Sequence, residues 1–195
     1  MTPKYIWLAH FVGLFVTCIL SQDCNFLKVH LSTVTWQNLK LLNEMSNSIP
    51  IECLREIQDF KLPKEIQPEK ISVKYIFYEM YTQAFNIFSQ NTSNSTWDKE
   101  KLVQLQNKLY EEIECLKQCF KKENKEKEDM KEVKADEKEH SGAGVLWQDQ
   151  LKLRRYFSRI YNFLKDKKYS RCAWEIVRVE IRRCFHYFET FTHSS

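Results

Sequence analysis

The sequence predicts an all-α fold, a five-helix bundle of up-up-down-down connectivity braced by disulfides. Three observations predict it. Five segments place apolar residues at the three- and four-residue spacing of a helix face. Gly and Pro are scarce, at 3 and 4 of 195 residues, whereas an all-β chain needs them for its many tight turns. A long proline-bearing connection follows the first helix, as two successive parallel helices require. The length suits one domain with one core, and a 43% hydrophobic share can fill it.

The first helix is expected from about Phe26 to Met45, with Leu27, Leu31, Val34, Leu41 and Met45 on one face and Asn38 intruding. The connection from Ser46 to Ser72 holds Pro50, Pro63 and Pro68, so it is not one continuous helix. The second helix covers about Val73 to Ser89, with Ile76, Phe77, Met80, Ala84, Ile87 and Phe88 facing inward. The third starts after Thr96 with Asp98 in its first turn, where a negative charge suits the helix dipole. From Lys121 to His140, 15 of 20 residues are charged, 7 Lys against 8 Asp or Glu, which predicts a solvated loop. The fourth helix is expected over about Gln150 to Lys167. The fifth follows Ser170 as N-cap and runs to about Phe191, with Ala173, Ile176, Val177, Ile181, Cys184 and Phe188 inward. Glu180 falls inside that stripe and is expected to be paired or at its edge.

Residues 1–21 read as a signal peptide. Lys4 gives a positive start, Ile6 to Leu20 is an uncharged, largely apolar run, and Ser21 is a small residue for cleavage. An uncleaved membrane anchor is the rival reading, but the run is short against the roughly 20 apolar residues of a span. The mature domain is then 22–195, and it is secreted. Export leaves Cys24, Cys53, Cys115, Cys119, Cys172 and Cys184, an even number in an oxidising compartment. Six cysteines allow about 15 complete pairings, and spacing alone does not choose among them. There is no C-x-x-C pair and no H-x-x-x-H partner, so disulfides outweigh zinc. Asn91-Thr92-Ser93 and Asn94-Ser95-Thr96 are glycosylation sequons in the polar gap before the third helix.

Catalytic machinery is missing from the sequence. It has no G-x-S-x-G turn, Gly-rich phosphate loop or H-E-x-x-H, and its histidines are scattered. No enzyme, cofactor or metal site is expected. The net charge of +4 is too mild to indicate a nucleic-acid partner. Its distribution is uneven, with 11 Lys or Arg against 5 Asp or Glu from Asp149 to Glu189. At about 100° per residue, Arg178, Arg182 and His186 form one row of the fifth helix, opposite its apolar stripe, and Val179 and Arg183 form the next. As a functional surface this composition suits a protein partner. Heparan sulfate or another polyanion is the competing partner class.

Tyr169-Ser170-Arg171-Cys172-Ala173-Trp174-Glu175 followed by Ile176-Val177-Arg178 resembles the C-terminal signature of type I interferons. Leu153 to Phe157 (LRRYF), Phe85 to Ser89 (FNIFS) before Trp97-Asp98, and Cys53-Leu54 followed by Asp59-Phe60 and Pro63 match in the family's order. Val34 to Leu39 (VTWQNL), Glu52 to Glu56 (ECLRE), Phe77 to Met80 (FYEM), Glu128 to Glu132 (EDMKE) and Val177 to Cys184 (VRVEIRRC) resemble one branch of that family.

The resemblance implies a helical cytokine with disulfides Cys24–Cys119 and Cys53–Cys172. Cys115 and Cys184 are left over, as a third bridge or as thiols. It implies a monomeric signal that joins the two chains of the type I interferon receptor and induces an antiviral state. The high-affinity chain would meet Leu54, Arg178, Val179, Arg182 and Arg183, and the low-affinity chain Phe85, Asn86, Tyr110 and Arg154. Ile57 stands where many members carry arginine, and Lys101 and Gln106 replace apolar and aromatic residues.

Overall fold

A computed structural model describes residues 27–46, 48–66, 73–131 and 141–193, excepting the side chains of 124–131 and 141–146. The expected signal peptide and Cys24 lie outside the described residues.

Among the described residues, five α-helices carry the fold. They are α1 Leu27–Glu44, α2 Val73–Phe88, α3 Lys99–Lys131, α4 Ser141–Asp166 and α5 Arg171–Glu189. Short 3-10 helices follow α1, at Ile51–Glu56, and α5, at Thr190–Thr192. No strand occurs among the described residues, and no described helix is long and apolar enough to cross a membrane.

Cross-helix pairs fix the directions. His30 meets Glu112, Gln37 meets Lys108 and Glu44 meets Lys101, so α1 and α3 run antiparallel. Tyr75 stacks on Phe120 and Phe85 lies near Tyr110, so α2 and α3 are antiparallel too. Hence α1 and α2 are parallel across the long connection. The short turn after α4 reverses the chain into α5, which makes α1, α2, α3 and α5 the up-up-down-down set.

Side-chain caps set two of the helix starts. The Ser170 hydroxyl accepts from the Ala173 amide and caps α5. Asp98 is the cap of α3 and not part of its first turn, because its Oδ1 accepts from the amides of Glu100 (2.9 Å) and Lys101 (3.2 Å). Two elements run further than their apolar periodicity. α3 continues to Lys131, through eleven residues expected to be loop, since Lys and Glu are good helix formers and can pair across a turn. α4 begins at Ser141, nine residues before its clear stripe, with Gly142 and Gly144 obscuring its start.

The core is one cluster contributed by every helix. At one end, rings chain from Phe88 to Trp97 (5.8 Å between centroids), to Trp174 (5.3 Å) and to Tyr169 (6.0 Å). Trp174 is fully buried, and burying a ring of that size is worth about 4–6 kcal/mol before entropy is charged. Among the described residues, Asn38, which intrudes into the α1 stripe, is buried without a hydrogen-bond partner for its side chain.

Candidate functional site

A disulfide between Cys53 and Cys172 (Cα–Cα 5.0 Å) pins the 3-10 segment to the first turn of α5. Polar contacts stitch the rest of the connection down. Lys167 bridges to Glu56 (3.1 Å), Arg159 donates to the Phe60 and Lys61 carbonyls, and Tyr187 donates to the Lys64 carbonyl (2.8 Å). A 3-10 helix has three residues per turn, so Ile51, Leu54 and Ile57 fall in one row. All three are exposed, at 84%, 51% and 52%. Leu54 is therefore the middle of an apolar ridge, a feature that reading Leu54 alone missed.

On α5 the expected basic row divides. Arg182 is exposed and donates to Asn43 Oδ1 on α1 (2.8 Å). Arg183 is half exposed, holds Glu180 through two hydrogen bonds and approaches Asp59 at 3.6 Å. The bond to Glu180 holds its guanidinium above the ordinary arginine range. Val179 is partly buried between them.

Arg178 departs from the expected exposed row, being only 2% exposed. Its Nε and Nη2 meet Glu175 Oε2 at 3.1 and 3.0 Å, and its Nη1 donates to the Leu42 carbonyl at 2.7 Å. Glu175 also accepts from the Trp97 indole at 2.7 Å. The physical reason is that α5 is enclosed on all sides in its first two turns. Residues Ala173 to Arg178 are buried consecutively, so a wheel with one wet face does not apply there. Arg178 joins α5 to α1, its partner Glu175 also holds the Trp97 segment just before α3, and no free guanidinium is left. The three-residue spacing of Glu175 and Arg178 was the available signal.

A second, separate face gathers the other expected residues. Phe85 on α2 and Tyr110 on α3 lie with ring centroids 6.0 Å apart, and Tyr110 is 54% exposed. Asn86 is exposed, two turns beyond Glu79 on the same side of α2. Arg154 on α4 grips that glutamate in a fork, with both contacts at 2.8 Å. This hydrogen-bonded charge pair raises the Arg154 pKa. Gln106 and Lys101 face structural partners, the Phe88 carbonyl and Glu44.

The cysteines of α3 and α5 resolve one open alternative. Cys115 is a half-cystine, while Cys184 keeps a buried thiol whose pKa burial pushes well up. They do not bridge each other. Cys119, the residue the resemblance implies as a half-cystine, is instead a buried thiol one turn beyond Cys115, which takes that place. Among the described residues, His30, Glu112 and Cys115 converge within 4.8 Å, but a disulfide sulfur is not a thiolate ligand. Asn91 and Asn94 are both exposed.

An interferon alpha/beta domain family model matches residues 27–195. Human interferon kappa is 54% identical over 196 aligned residues, 98% of this chain and 94% of the relative. Mouse interferon kappa is 36% identical over 96% and 89%, and human interferon omega-1 is 35% identical over 84% and 78%. Zebrafish interferon 2 shares the fold, with a TM-score of 0.58 at 22% identity over 81% of this chain and 96% of that one. The chain belongs to the type I interferon family, whose members are secreted cytokines and not enzymes.

Proposed function

We propose that the chain is secreted after removal of residues 1–21 and acts as a monomer that joins the two chains of the type I interferon receptor. Their cytoplasmic kinases are thereby brought together and an antiviral state follows. The observation that supports this reading best is the clamp between Cys53 and Cys172. It holds Leu54 beside α5, on whose outer face stand Val179, Arg182 and Arg183. That strip is the proposed high-affinity surface, with Arg178 beneath it as a brace. Phe85, Asn86, Tyr110 and Arg154 form the proposed low-affinity surface on the α2–α3–α4 side. At least one of Asn91 and Asn94 carries a glycan. Cys24 ties the N-terminus to α3, where the family implies Cys119 as partner and the structure has Cys115 as half-cystine.

The test is induction of interferon-responsive transcription in reporter cells, with and without antibody against the high-affinity receptor chain. Induction that the antibody abolishes is expected. Correctly oxidised protein that induces nothing, or induces regardless of the antibody, would reject the proposal. Binding of heparan sulfate is a second reading, supported by the exposed Lys165, Lys168 and Arg182. It requires retention on heparin until high salt, since contacts between exposed charges are screened.

A further inference from the structure

The two sequons lie end to end in one six-residue stretch, yet their asparagines are held differently. Asn91 Oδ1 accepts from the Ser93 amide at 3.0 Å, and its Nδ2 makes no hydrogen bond among the described residues. Asn94 Nδ2, the atom a sugar would occupy, donates to the Tyr169 carbonyl at 3.3 Å, across 75 residues of sequence. Tyr169 belongs to the tight turn between α4 and α5, where Lys168 and Tyr169 adopt left-handed φ of 51° and 54° without being glycine. Such residues persist only where surrounding structure holds them, and the Asn94 amide is part of that hold.

We infer that Asn91 bears the N-linked glycan of the folded, secreted protein and that Asn94 serves as a tie between the α2–α3 loop and the α4–α5 turn. This rests on the secretory reading above. In the transfer, an N–H bond of the Asn91 amide gives way to a bond from Nδ2 to the anomeric carbon of a lipid-pyrophosphate-linked oligosaccharide. The lipid pyrophosphate leaves with the electron pair of the broken C–O bond, and the amide proton passes to a base on the transferase. A sugar on Asn94 would instead stand against the turn and loosen the tie, so chains modified there fold less well and are depleted from the secreted pool.

The test is expression of the full chain in mammalian cells, enzymatic deglycosylation of the secreted protein in heavy-oxygen water, and peptide mapping of the labelled residue. The label is expected at residue 91. N91Q should lose the glycan's gel shift, whereas N94Q should keep it and unfold about 2–4 °C lower, the shift that one lost hydrogen bond gives a chain of this size. Secreted protein labelled at 94, or unlabelled at 91, overturns this inference alone. A chain that stays inside the cell without sugar overturns the secretory reading and this inference with it.

Discussion

Arg178 and Glu175 sit one turn apart on α5 and hold each other inside the bundle, with side chains only 3% and 1% exposed. The same carboxylate receives the Trp97 indole, and the same guanidinium reaches the end of α1 at Leu42. Two helices and the segment leading into α3 thus share one charge pair that water scarcely reaches.

Removing one partner of such a pair strands the other charge, at a cost of about 3–5 kcal/mol. Arg178→Ala is expected to lose that much in urea denaturation, and its binding loss should track its unfolded fraction. Arg182→Ala, at an exposed site, should change stability by less than about 0.5 kcal/mol while weakening the high-affinity receptor contact. Equal binding losses with intact folding in both variants would contradict this division.

Glu79 and Arg154 form a less enclosed version of the same arrangement, the carboxylate side chain 4% and the arginine 48% exposed. Arg154→Ala should cost about 1–2 kcal/mol, less than the α5 pair because solvent screens the arginine. Glu79→Gln in the same background should restore part of the loss, since a neutral amide is cheaper to leave buried. A thermal-denaturation cycle over the four proteins measures this.

His30 donates a pH dependence. Its hydrogen bond to Glu112 (2.8 Å) raises its pKa above the ordinary 6.5, against the opposing effect of burial. A raised folded-state pKa means the folded protein binds the proton more tightly than the unfolded chain. The stabilisation is then fully present below 6.5 and is lost as pH rises through the raised value. Denaturation midpoints from pH 5 to 9 should fall across that window, and His30→Gln should flatten the fall.

The Cys53–Cys172 bridge spans 119 residues, and closing a loop of that size is worth about 4–5 kcal/mol in the chain-entropy account. The double serine variant should lose up to that amount. It should also lose receptor affinity beyond the stability effect, because Leu54 is no longer held beside α5. Calorimetry and surface-immobilised receptor binding separate the two.

How far the sequence could be read depended on how each helix is covered. The stripes of α2 and α5 and the Ser170 cap were legible, because a helix with one wet face writes its packing into its spacing, and of the two readings left for Glu180, paired or at the edge, the paired one holds. Tyr156 and Arg183 prove to be the partners of Glu180. Arg178 was misplaced because periodicity cannot register that the long connection, α1 and the Trp97 segment close around the same two turns. The end of α3 was obscured for the opposite reason, having too few apolar residues to mark a face at all. Pairing among the cysteines stayed open because spacing carries no tertiary distance.

The clamp between Cys53 and Cys172 has a consequence for how the molecule is made. Synthesis proceeds from the N-terminus, so the loop emerges long before the helix that holds it. Its covalent partner arrives 119 residues later. A chain lacking α5 therefore has no covalent hold on the Leu54 ridge, and under the proposed function premature termination is expected to yield a silent product and not a weaker signal.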